Sequence, residues 1–134
     1  MIAPTVTAIY AAVLGILGLF LAGRVIAGRV KHAVQLGHAG REDMRLRIRV
    51  FGNFAEYVPL ILMLAALAEG LGAPRWVAHA IGSALLAGRL LHAWGLSRTA
   101  QFNPGRFLGT NLTFAALLGA AAATLWRALA HGAF

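Results

Sequence analysis

The chain has 134 residues, 60% of them hydrophobic and 12% charged, with a formal net charge of +8 and no cysteine. An average soluble domain carries about twice that charged share, so the composition argues against a water-soluble fold. The missing thiols exclude a disulfide framework, a thiolate metal site and a protein thiol nucleophile. Because the surplus cations cluster between apolar runs, where they set topology or line a pocket, and no nucleic-acid motif accompanies them, no nucleic-acid role is assigned.

The sequence predicts a single all-α domain over residues 1–134, a bundle of four transmembrane helices. Span one runs from Thr5 to Ala27, and its stretch from Val6 to Ala22 lacks the polar stripe of a soluble core helix. No Lys or Arg precedes it and the basic residues follow it, the reverse of a signal peptide, so it is read as retained. Span two covers Ile48 to Leu71, span three Pro74 to Ser97 and span four Phe107 to Leu129. Each is close to the ~20 residues that a bilayer core requires. Pro74 suits a first helical position, since its missing N–H is not needed there. Asn103, Pro104 and Gly105 make a turn signal before span four. The short link between spans two and three makes them antiparallel neighbours.

The loops set the expected orientation. Arg29, Lys31, Arg41 and Arg45 in the first connection, with Arg98 and Arg106 around the third, lie on one side, against Arg75 and Arg127 on the other. The positive-inside rule places both long loops in the cytoplasm and both termini outside.

Within span two, Arg49, Asn53 and Glu56 fall at i, i+4 and i+7, on one helix face. Ionisable groups at that depth are costly and usually mark function. Counting inward from the cytoplasmic ends, Glu56 and Arg89 both lie ~12 Å deep, and Asn53 is level with His92. The expectation is a polar layer of Arg49, Asn53, Glu56, Arg89 and His92, with Glu56 and Arg89 as an ion pair that fixes helix register. After that pair is counted, Arg49 has no intramembrane carboxylate and Arg106 stands at the mouth of span four. Surplus cation beside Asn and His points to an anionic ligand whose carboxylates arginine can grip in bidentate fashion.

A lone histidine such as His92 is more often a packing residue than a ligand, and its spacing from His79 matches no metal signature, so no metal is assigned. His32, His38 and His131 read as loop or terminal residues. Tyr57 suits either a ligand contact or an interhelical hydrogen bond. Trp76, Trp94 and Trp126 fall near span ends, where aromatic belts form.

The segment Arg49-Val-Phe-Gly-Asn53-Phe-Ala-Glu56-Tyr57-Val-Pro59 resembles the second-helix signature RxxxNxxEYxP of the MAPEG proteins, the membrane-associated proteins in eicosanoid and glutathione metabolism. Gly88-Arg89-Leu-Leu-His92-Ala-Trp-Gly95 resembles their third-helix signature, and Arg106-Phe-Leu-Gly109, with Thr113 one turn on, resembles the start of their fourth helix. The resemblance covers essentially the whole chain. It implies a homotrimer of four-helix subunits that binds glutathione at subunit interfaces and conjugates it to lipophilic small molecules or reduces lipid hydroperoxides. It also implies that Arg49, Asn53, Glu56, Tyr57 and His92 contact glutathione, that Glu56 is held by Arg89, and that Arg29 meets a glutathione carboxylate. Arg106 matches the arginine that stabilises the glutathione thiolate, the catalytic role. The small residues Ala80, Ala84 and Gly88, and Ala115, Gly119 and Ala123, are spaced for the close approach an oligomer needs.

Leu96 stands where eicosanoid-forming members have a tyrosine, and Phe107 where one has a serine, so specific eicosanoid synthesis is not expected. The pattern is most similar to a bacterial inner-membrane branch of the family. The alternative reading is a non-enzymatic membrane protein that holds glutathione, another small anion or a lipid headgroup in the same cationic pocket.

Overall fold

The computed structural model describes residues 2–99 and 101–132. Four α-helices, α1 (Thr5–His32), α2 (Glu42–Gly70), α3 (Arg75–Arg98) and α4 (Pro104–Ala130), run in chain order. α1, α2 and α4 are long and apolar enough to cross a membrane. α3 has 24 residues, on the order of 36 Å of helix, but His79, Arg89 and His92 lower its apolarity, and Arg89 and His92 are buried by its neighbours. α2 and α3 occupy the middle of the bundle and α3 packs most closely on α4, whereas α1 and α4 do not meet among the described residues. Leu14, Val58, Ile61, Leu85, Ala116 and Ala120 form the apolar centre. The outer faces of α1 and α4 expose Ile16, Leu19, Phe20, Leu118 and Leu125, as surfaces that meet lipid do.

α2 begins at Glu42 instead of the expected Ile48. Glu42 and Asp43 fall in its first turn, where carboxylates complement the exposed N–H groups and the helix dipole. Asp43 also meets His32 at 2.7 Å, so His32 is the clasp between α1 and α2 and not a loop residue. α4 begins as the turn signal implies, with the Asn103 side chain accepting from Gly105 N–H at 2.9 Å and Pro104 in the first turn.

At the end of the bundle away from the long loops, α1 starts after Pro4 with no side-chain cap of its own. Glu69, near the end of α2, supplies one. Its carboxylate accepts from Val6 N–H at 2.9 Å, Thr7 N–H at 2.8 Å and the Thr7 hydroxyl at 2.7 Å. The N–H groups of a helix start, which have no intrahelical partner, are thereby satisfied by a buried anion on the favourable pole of the dipole. Arg127 Nε and His131 Nε2 donate to the Leu71 carbonyl at 2.9 and 2.8 Å, which secures the end of α4 against the end of α2.

The α3–α4 crossing depends on glycine. A Cβ at Gly109 would lie 2.5 Å from His92 N and 2.6 Å from Gly88 O, and one at Gly95 would lie 2.5 Å from Arg106 N. Backbone meets backbone there. Gly88 therefore serves a contact within the chain and is not available to the oligomer interface expected of it, while Gly119, with nothing nearer than 3.9 Å, is open.

Candidate functional site

The glycine crossing presents His92 of α3 and Arg106 of α4 to the same side of α2. Between the three helices lies a cavity of about 150 Å³ lined by Arg49, Asn53 and Tyr57 from α2, Arg89, His92 and Leu96 from α3, and Arg106, Thr110, Thr113 and Phe114 from α4. The last four repeat on α4 the spacing i, i+4, i+7 and i+8 that Arg49, Asn53, Glu56 and Tyr57 have on α2. Of these, all but Glu56 line the one space. Tyr57 and Phe114 meet in a tilted contact, with ring centroids 5.6 Å apart, at the end farthest from the basic loops. Among the described residues no acidic side chain lines this cavity.

Arg89 is 2% exposed. Its Nη1 donates to Asn53 Oδ1 at 2.7 Å and, more weakly, to Asn53 O at 3.4 Å, while its buried Nε has no hydrogen-bond partner among the described residues. The ion pair expected between Glu56 and Arg89 is not formed. Glu56 lies about 60° round α2 from Asn53, and that rotation carries it away from α3, so Arg89 meets Asn53 instead. Glu56 is exposed. It lines a second, open groove of about 570 Å³ with His38, Arg45, Gly52, Arg49 and Arg106 among its walls.

Arg49, Leu96 and Arg106 line both spaces, so the groove leads onto the internal cavity. Of the expected site residues, Arg49, Asn53, Tyr57, His92 and Arg106 come together directly and Glu56 joins them through the groove. Arg29 does not. Its guanidinium donates to the Gln35 carbonyl and it borders a separate hollow with Val30, Ala33 and Val34. Among the described residues no three His, Cys, Asp or Glu side chains gather as a metal site.

Arg45, His38, Thr110 and Phe114 were not singled out from sequence as site residues. The α4 pair had a readable signal, the heptad-like echo of the α2 motif. Arg45 and His38 enter only because α2 extends to Glu42 and folds the connection back over the groove.

Residues 7–126 match the MAPEG family model. The inner membrane protein YecN of Escherichia coli strain K12 is 34% identical over 121 residues, which is 90% of this chain and 91% of YecN. YecN of E. coli O6:H1 matches to the same extent. The chain belongs to the MAPEG family. With three membrane-length apolar helices and these inner-membrane relatives, it is an integral inner-membrane protein. In MAPEG terms, all three stretches that resemble the family's signatures border the same space, since Arg49, His92 and Arg106 each line the internal cavity.

Proposed function

We propose that this MAPEG protein binds glutathione and activates its thiol toward lipophilic electrophiles or hydroperoxides, as a membrane-bound glutathione transferase or peroxidase. The observation that carries the reading is the convergence of Arg49, Asn53, Tyr57, His92 and Arg106, from three helices, on one cavity with no carboxylate among the described residues of its lining. Such a site favours a ligand that brings its own negative charge. Arg49 at the mouth is placed to grip a glutathione carboxylate in bidentate fashion, and Glu56 in the adjoining groove suits the ligand's ammonium.

Arg106 then acts on the sulfur. A free thiol with a pKa near ~8.5 is mostly protonated at neutral pH, and an adjacent guanidinium raises its thiolate fraction. The thiolate forms a carbon–sulfur bond as the leaving group departs with the bonding pair. With a hydroperoxide it takes the terminal oxygen, releasing an alcohol, and a second glutathione reduces the resulting sulfenic acid to give disulfide and water. A third groove of about 550 Å³, lined by Phe102, Phe107 and Phe114 together with Arg106 and Thr110, supports a route for the lipophilic partner from the bilayer.

The reading also calls for further copies of the chain in a homotrimer. Glu56 is exposed in mid-span and Arg29 stands apart from the cavity, as expected of groups that complete a site between subunits. Both long loops face the cytoplasm in this reading, so glutathione arrives from that side; a reporter fused after Phe134 is expected to be active only in the periplasm, and cytoplasmic activity overturns the orientation.

Leu96, which replaces the tyrosine of eicosanoid-forming members and lines both spaces, favours a second reading, a binder without chemistry. Thiolate absorbance of bound glutathione, titrated with pH, separates the two. In the enzyme reading Arg106→Leu leaves affinity within a few fold while the thiol pKa rises and conjugation collapses. Arg49→Leu mainly weakens binding, by about 2 kcal/mol for a lost charged hydrogen bond. Saturable glutathione binding with no thiolate signal at neutral pH leaves only the binder.

A further inference from the structure

On the other side of α3, facing α1, the helices part into a groove of about 300 Å³ that the glutathione reading does not use. Its floor is apolar, built from Leu17, Phe20 and Leu21 of α1 and Leu90, Ala93 and Trp94 of α3, and its mouth at the basic end is formed by Arg24, Ser97 and Arg98. Arg24 Nη1 donates to Ser97 Oγ at 2.9 Å, which draws one guanidinium across from α1 to α3. Arg98 lies over the Trp94 ring with its guanidinium carbon 4.3 Å from the centroid, which holds the second guanidinium at the rim. Neither arginine has a carboxylate partner among the described residues. Phe20 and Trp94 are 61% and 50% exposed, so the floor opens to the surface that meets lipid.

We propose that this groove is a binding site for an anionic phospholipid, with the phosphate between Arg24 and Arg98 and an acyl chain along Phe20, Leu90 and Trp94. Two cations at the membrane–water boundary over an apolar trough match a lipid with a net negative headgroup better than a zwitterionic one, because the lipid's charge is not internally cancelled. A guanidinium offers paired donors to phosphate oxygens. A soluble anion uses the mouth alone and leaves the trough uncovered. The site owes nothing to the cavity between α2, α3 and α4, and so stands whether or not glutathione is the ligand there.

Native mass spectrometry of the full chain, released from detergent micelles holding equal amounts of phosphatidylglycerol and phosphatidylcholine, tests the proposal. Phosphatidylglycerol is expected to be retained preferentially, one per chain, and glycerol phosphate alone not to be retained. Arg98→Gln, an exposed position whose change leaves folding intact, and Arg24→Gln are each expected to cut that preference by about fivefold. Leu90→Trp, which fills the trough, is expected to lower retention of both lipids. Equal retention of the two lipids by the wild type, or a preference that survives both arginine changes, overturns the proposal. So does retention of glycerol phosphate on its own, which marks a plain anion site. If Leu90→Trp splits an oligomer and leaves lipid retention unchanged, a second copy occupies the groove and the lipid does not.

Discussion

At the end of the bundle away from the long loops, buried Glu69 accepts three hydrogen bonds from the start of α1, and Arg127 donates to the carbonyl of Leu71, the residue that follows α2. At the basic end Arg89, equally buried, spends one nitrogen on Asn53 and leaves Nε without a partner among the described residues, beside a cavity. Both regions hold an ionisable side chain in the interior of a membrane bundle, yet only the first satisfies it. An interior cation that is incompletely bonded, facing a space shared with Arg49 and Arg106, is costly to keep for packing alone. The closed end holds the helices in register, and the open end is left with capacity for a ligand.

The sharpest way to break this division acts on the crossing that shapes the open end. Gly109→Val sets a branched side chain against the backbone of His92 and Gly88, with no flexible neighbour to give way. The expected loss is about 3 kcal/mol or more in unfolding from mixed micelles, together with loss of any ligand binding. Gly119→Ala, where the nearest atom is 3.9 Å away, is the control and is expected to change stability little. If both variants are equally stable, the glycine crossing does not define the site.

The closed end predicts the next largest effect. Glu69→Ala leaves the buried N–H groups of Val6 and Thr7 unpartnered, and should cost about 2–3 kcal/mol while ligand affinity in the surviving folded fraction stays unchanged. A loss of affinity without a loss of stability would reverse the roles assigned to the two ends.

Much of this was readable from the residues. The four helices followed from apolar run lengths, the start of α4 from Asn103-Pro104-Gly105, and the meeting of Arg49, Asn53, Tyr57, His92 and Arg106 from spacing together with family resemblance. Glu69 was passed over because a carboxylate near a helix end reads as interfacial, and its partners, the backbone N–H groups of Val6 and Thr7, carry no side-chain signature. Arg24 was missed for a similar reason: its acceptor Ser97 lies 73 positions away in sequence, and nothing local pairs them. The Glu56–Arg89 pairing failed because counting residues from the span ends fixes depth along a helix and leaves rotation about it undetermined. One turn of α2 offers three or four side chains at nearly the same depth, and Asn53, not Glu56, is the one turned toward α3.

That correction yields the smallest expected effect and the most discriminating. A buried partner of Arg89 could not be neutralised cheaply, since removing one member of an interior pair leaves the other uncompensated at a cost of several kcal/mol. Glu56 is exposed and has no cationic partner among the described residues. Glu56→Gln is therefore expected to shift the unfolding free energy of the chain, measured at fewer than one chain per micelle, by no more than about 0.5 kcal/mol. Under conditions that favour assembly the same variant should bind glutathione more weakly, because the carboxylate that would meet the ligand's ammonium is gone. A destabilisation of 2 kcal/mol or more in the dilute measurement, cured by the double change with Arg89→Met, would restore the interior pair and place Glu56 with the residues that hold the helices together. Unchanged stability with weakened binding keeps Glu56 at the open end, as part of the groove and not of the frame.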